Sequence, residues 1–162
     1  MKTYALVAGI GMLAVLGSVW FASADDHTDT TKSVVPSSEL KIAQDLGAEG
    51  PTETFGIESS KILGTMPLAG EFAGTDGYML RVREITALPG AQVAVHQHDS
   101  RPGAAYILEG ELIEHRNDVE GPLTRAAGAV ALEKTGTIHW WKNESSAMAK
   151  VLVVDIVPVD TK

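Results

Sequence analysis

PGAQVAVHQHDSRPGAAYILEG, residues 89–110, holds two of the chain's five histidines. It places His96 and His98 two residues apart in a run that otherwise reads as strand. Successive side chains of a strand face opposite ways, so both imidazoles lie on one face, roughly 6.6 Å apart along the rise. At that separation two rings can converge on one ion about 2.1 Å from each nitrogen. The same spacing also fits two ordinary surface histidines, so the neighbouring sequence has to discriminate. The chain has no cysteine, which excludes disulfides and thiolate metal sites and leaves nitrogen and oxygen as the only ligand atoms.

From Phe55 onward, short runs rich in Val, Ile, Leu and Tyr alternate with Gly and Pro. The runs are IESSKIL, GYMLRVREITAL, AQVAVH, AAYILEG, ELIEHR, GAVALE, TIHWW and AKVLVVDIV. Turn signals fall at Leu88-Pro89-Gly90, Arg101-Pro102-Gly103, Glu120-Gly121-Pro122 and Thr135-Gly136. Many short strands with regularly spaced turns predict an all-β sandwich or barrel over residues 55–160.

Two spacings run through these strands. The first is Gly90, five residues, His96-Gln97-His98, four residues, Gly103, six residues, Gly110. The second is Gly128, five residues, Lys134-Thr135-Gly136, two residues, His139, three residues, Asn143. In this order they resemble the two motifs of the cupin superfamily, whose first motif has a glutamate where Gly103 stands and whose second has a proline where Lys134 stands. The resemblance covers roughly residues 55–159. It implies a double-stranded β-helix, or jelly-roll barrel, with the motifs on facing hairpins. His96, His98 and His139 would take the places of the family's three histidine ligands. Without the resemblance, His139 reads as packed beside Trp140 and Trp141.

Gly103 cannot ligate, so three readings stay open. The site is a three-histidine centre open to water or substrate, with the small Gly103 leaving room; or Asp99 or Glu109 substitutes for the glutamate; or the metal site is degenerate. The residues favour the first. Three neutral imidazoles leave a bound ion more positive than a set containing a carboxylate, which strengthens its Lewis acidity. Such ligands suit a divalent transition metal (Fe, Zn, Cu, Ni or Mn) better than Mg or Ca.

Three further residues are candidates for ligand binding. Arg101 follows the histidine pair in the loop and could pair bidentately with a substrate carboxylate; the bland reading is an ion pair with Asp99. Tyr106 and Trp141 are candidate cavity walls, with Trp140, Met79 and Met148 as further large apolar residues. A regular TIHWW strand places His139 and Trp141 on one face and Ile138 and Trp140 on the other. Asn143 reads as structural in the following turn. His115 reads as a surface residue and His27 as part of a solvated arm.

Residues 1–24 combine Lys2, an uncharged run and Ala22-Ser23-Ala24, the pattern of a secretory signal peptide cut before Asp25. Residues 5–24 are also about long enough to anchor the chain in a membrane. Residues 25–54, rich in Asp, Thr, Ser, Glu and Gly, predict a flexible or loosely docked arm, with a short helix possible over residues 38–46. Both N-terminal readings predict export, to the periplasm or the medium. The net charge of -8 argues against nucleic-acid partners. The long run GYMLRVREITAL would present an exposed edge, which predicts a homodimer.

Together these readings predict an exported cupin-fold metal-binding protein with a three-histidine centre and a small-molecule ligand, of dioxygenase, isomerase or lyase type if it is an enzyme. The alternative is a non-catalytic small-ligand-binding or accessory module with a degenerate metal site.

Overall fold

The computed structural model describes residues 34–159; the predicted signal or anchor, His27 and the first part of the arm lie outside the described residues. One helix, α1 (Ser37–Asp45), precedes eight strands among the described residues: β1 (Phe55–Pro67), β2 (Tyr78–Gln97), β3 (Gly103–Glu109), β4 (Glu111–Arg116), β5 (Leu123–Ala126), β6 (Val130–Glu133), β7 (Ile138–Lys142) and β8 (Ala149–Pro158). They form one antiparallel sheet in the order β5-β4-β7-β2-β8-β3-β6, with β1 paired to β2, that curls into a nearly closed barrel. No described helix is long and apolar enough to cross a membrane.

β2 departs from the sequence reading. Leu88-Pro89-Gly90 separates no strands; one strand of 20 residues passes through it. Its pairing with β1 jumps from Ile57↔Ala87 to Phe55↔Gln92, so the turn residues form a bulge. The bulge lets the strand change partners: residues 78–87 pair with β8 and residues 92–97 with β7. A bulge bends a strand in this way at the corners of closed sheets. Because β2 has neighbours on both sides, the exposed edge expected there falls instead to β1, where Ile62, Leu63 and Met66 are exposed. β5 has no counterpart among the predicted strands. Its four residues, LTRA, are partly or fully exposed and lack apolar alternation.

β8 alternates buried and half-buried residues along its length, as a strand with one face in a barrel core must. The core gathers Ile107, Leu112, Trp141, Val151 and Val153 with five alanines, Ala87, Ala91, Ala105, Ala131 and Ala149. Three of these alanines, Ala87, Ala91 and Ala105, line a cavity of about 60 Å³, where their methyl side chains leave space unfilled.

The stretch read as a flexible arm is folded where it is described. α1 forms within one residue of the expected helix, and Gly47, just past its C-cap Leu46, has a φ of 67° that suits the left-handed turn after a helix. Its buried face carries Glu39 and Ala43, one turn apart, while Ile42 and Leu46 are exposed. The Glu39 carboxylate meets the Arg101 guanidinium at 2.7–3.1 Å through three hydrogen bonds. Arg101 Nη1 also donates to Asp155 at 3.0 Å, and Arg81 and Arg83 share that aspartate. Val34 and Val35 line the cavity, and the Val34 carbonyl accepts from Arg83 Nη1 at 2.9 Å. Farther along, Pro51 O and Thr54 Oγ1 accept from the amides of Val95 and Ala94. The segment is held by buried charge pairing, which its polar composition does not advertise.

Breaking a buried ion pair leaves a charge without compensation, so Glu39→Ala is expected to destabilise the fold by about 3 kcal/mol. Urea unfolding monitored by tryptophan fluorescence measures this, and an unchanged midpoint would count against the docking of α1.

Candidate metal centre

His96 and His139 are direct cross-strand partners of β2 and β7, and His98 follows just past the end of β2. All three rings are buried. Their nearest ligand atoms lie within 4.8 Å of one another, with His98 Nε2 and His96 Nε2 at 3.0 and 3.1 Å from His139 Nε2. The structure thus brings together the three histidines singled out from the sequence.

The other nitrogen of each ring identifies the tautomer. His96 Nδ1 is 2.8 Å from the Ala94 carbonyl, and His98 Nδ1 is 2.9 Å from the Arg101 carbonyl. His139 Nδ1 is 2.8 Å from Glu114 Oε1. A carbonyl or carboxylate oxygen only accepts, so each Nδ1 carries the proton and each neutral Nε2 presents a lone pair. Two lone pairs at 3.0 Å make no hydrogen bond. Nitrogens that share one ion at about 2.1 Å are spaced by about 3.0–3.4 Å, so the donor set fits a metal ion.

Electrostatics keeps the rings neutral. Burial, with Arg101 nearby, lowers His98 to about 4. Burial, reinforced by the neighbouring imidazoles, pushes His96 and His139 well below the ordinary histidine value. Glu114, fully buried, also accepts from Arg116 Nη1 and Arg125 Nε at 2.8 Å each, so the carboxylate that orients His139 is itself fixed.

Glu133 reaches the cluster from β6. Its Oε1 lies 3.8 Å from His139 Nε2 and its Oε2 3.6 Å from His98 Nδ1; burial raises it to about 7. The carboxylates weighed from the sequence are elsewhere. Asp99 is exposed and accepts from the Gly136 amide, and Glu109 is exposed beside Lys150. The room expected at Gly103 is absent as well, because a Cβ there would lie 2.6 Å from Val154 O. Glycine lets β3 and β8 approach each other.

The remaining candidates divide. Trp141 lines the cavity with its indole edge-on to His139, ring centres 5.5 Å apart. Tyr106 is 41% exposed and outside the cavity wall, and Met148 is exposed too. Arg101 is buried at the cavity, its fork closed by Glu39 and Asp155 rather than paired with Asp99. Asn143 bridges the Ala87 and Ala147 carbonyls and accepts from Ser145, a structural role in the turn. His115 stacks on Trp140 at 3.8 Å, on the opposite face from the centre.

The fold and this cluster define a class. The cupin domain family matches residues 83–155, a span that holds all three histidines and is marked by the match as a cupin domain. No curated protein matches. Among solved structures, KdgF from Halomonas sp. is similar at 17% identity and a TM-score of 0.51, over 67% of this chain and 88% of the other. A sugar phosphate isomerase from the cupin superfamily of Silicibacter pomeroyi is similar at 24% identity and 0.48, over 80% and 74%. The Schizosaccharomyces pombe Cnp3 cupin domain matches at 13% identity and 0.46, over 60% of this chain, which spans 61% of that protein's length. These likenesses concern the fold.

The buried groups give the metal-free protein a pH dependence. Near pH 5.5 the unfolded chain holds protons on the three imidazoles and none on Glu133, whose ordinary value is 4.5. The folded chain holds one on Glu133 and none on the imidazoles, so unfolding takes up two protons, three less one. Depressed histidines stabilise above pH 6.5 and lose that contribution as pH falls; the raised Glu133 opposes them and is outnumbered. Stability should therefore drop by on the order of 2 kcal/mol per pH unit from about 6.5 towards 4. Urea midpoints at pH 7, 6 and 5 check it, and a midpoint that rises on acidification would contradict the assignment.

Proposed function

We propose that this chain is an exported metal-dependent cupin that holds a divalent transition metal through His96, His98 and His139 and binds a small molecule in the adjoining cavity. The observation that carries the reading is the tautomer set: three buried rings whose Nδ1 protons are committed to fixed acceptors, leaving three Nε2 lone pairs at one point. Removing one orienting partner typically costs 10–100-fold in metal affinity, which makes such pinning a hallmark of metal sites. In this reading the ion supplies Lewis acidity, lowering the pKa of a bound water or ligand group.

The chain's own residues do the rest. The imidazoles stay neutral and available to an ion because burial disfavours their protonation. Trp141, Ala105, Leu112, Val151 and Val153 line the cavity with apolar surface, which favours a compact ligand. An activity of oxygenase or isomerase type is the enzymatic form of the proposal. Export rests on residues 1–24, and a homodimer would form through the β1 edge.

The deciding measurement is elemental analysis of protein isolated from its native compartment, with His96→Ala in parallel. One ion per chain in the wild type and under a tenth of that in the variant is expected; equal content would end the proposal. His139→Ala should likewise abolish any metal-dependent turnover while the variant remains folded by circular dichroism.

A further inference from the structure

The motif glutamate missing at position 103 leaves a question of where a carboxylate could come from. β3 and β6 pair so that Gly103 stands directly opposite Glu133. Residues directly opposite in an antiparallel pair project their side chains from the same face of the sheet. Glu133 therefore projects to the side on which a residue-103 side chain would have emerged. Position 103 itself cannot carry one, since its Cβ would collide with Val154 O and crowd Asp155.

The carboxylate of Glu133 is 5% exposed, and its Oε2 has no hydrogen-bond partner. Buried carboxylate oxygens are rarely left so. The nearby donors are occupied: the His98 Nδ1 proton goes to the Arg101 carbonyl, and the Arg101 fork goes to Glu39 and Asp155. Arg83 lends both Nη atoms to Asp155 and Val34, though its Nε is itself unpartnered. Meanwhile Oε1 lies 3.8 Å from a histidine nitrogen that presents a lone pair into the cluster. An acceptor in that place is matched by a cation.

From this we infer that Glu133 is the carboxylate ligand of the histidine centre, taking over from the neighbouring strand the role the family motif assigns to position 103. The inference rests on the metal-binding reading above. It makes the site a three-nitrogen, one-oxygen set, with Gly103 and Glu133 acting as one rung rather than as a loss.

The test uses Co²⁺ alone as the probe, added to the metal-free full chain, with affinity read by chelator competition and ligation by the visible absorption of the bound ion. Glu133→Gln preserves shape and removes the charge. It should weaken Co²⁺ binding at least tenfold and shift the absorption bands, whereas Glu133→Asp should recover part of the affinity. If Glu133 serves only Arg83, Glu133→Gln will alter stability but keep Co²⁺ affinity within twofold and the spectrum unchanged, which overturns the inference. Should Glu133→Gln not fold, Glu133→Asp decides: wild-type affinity and an unchanged spectrum overturn the inference, and a weaker, shifted complex supports it. His96→Ala separates the two levels, because undiminished Co²⁺ binding there would remove the underlying reading and not merely the role of Glu133.

Discussion

Three imidazole protons directed away from a common point organise this molecule. Each Nδ1–H is tied to an acceptor that cannot reciprocate, two backbone carbonyls and one carboxylate, so every ring turns its lone pair inwards. The arrangement draws on distant parts of the chain. β2 must bend at its bulge to bring His96 opposite His139, and β4 must sit beside β7 to present Glu114. The alanine-rich core then leaves a cavity next to the rings instead of filling it. Burial supplies the chemistry: away from water, the neutral imidazole is the favoured form.

Around that point the barrel interior carries more charge than small domains ordinarily bury. Arg81, Arg83 and Arg101 converge on Asp155, and Glu39 completes the set from α1. Buried ion pairs of this kind contribute little net stability, because desolvation offsets much of their attraction. Their effect is positional. They fix which face of the helix meets the barrel, and they hold the loop whose carbonyl orients His98.

The sequence made the strands, the two spaced motifs and the histidine triad legible, because each rests on local periodicity or on counted spacing. It hid the carboxylates for physical reasons. In VALE the apolar Val130 and Leu132 point outwards, Leu132 being 68% exposed, while Ala131 and Glu133 face in. Hydrophobic alternation would assign the opposite parity; pairing with β3, which sets Glu133 against Gly103, decides it. Glu114 does share the inward face with buried Leu112, a parity visible in ELIEHR, but nothing local says that a glutamate there meets a histidine. Glu39 sits in a stretch whose polarity suggests solvent, and only Arg101, 62 residues later, explains its burial.

One feature of the docked helix reaches beyond stability. Glu39 grips the side chain of Arg101, and the backbone oxygen of Arg101 grips the ring of His98. The path from the N-terminal helix to a histidine of the centre is therefore a single residue long. A shift of α1 would act on that guanidinium and, through the Arg101 carbonyl, on the imidazole. The seat of the helix and the aim of a lone pair inside the barrel are thus tied through one side chain.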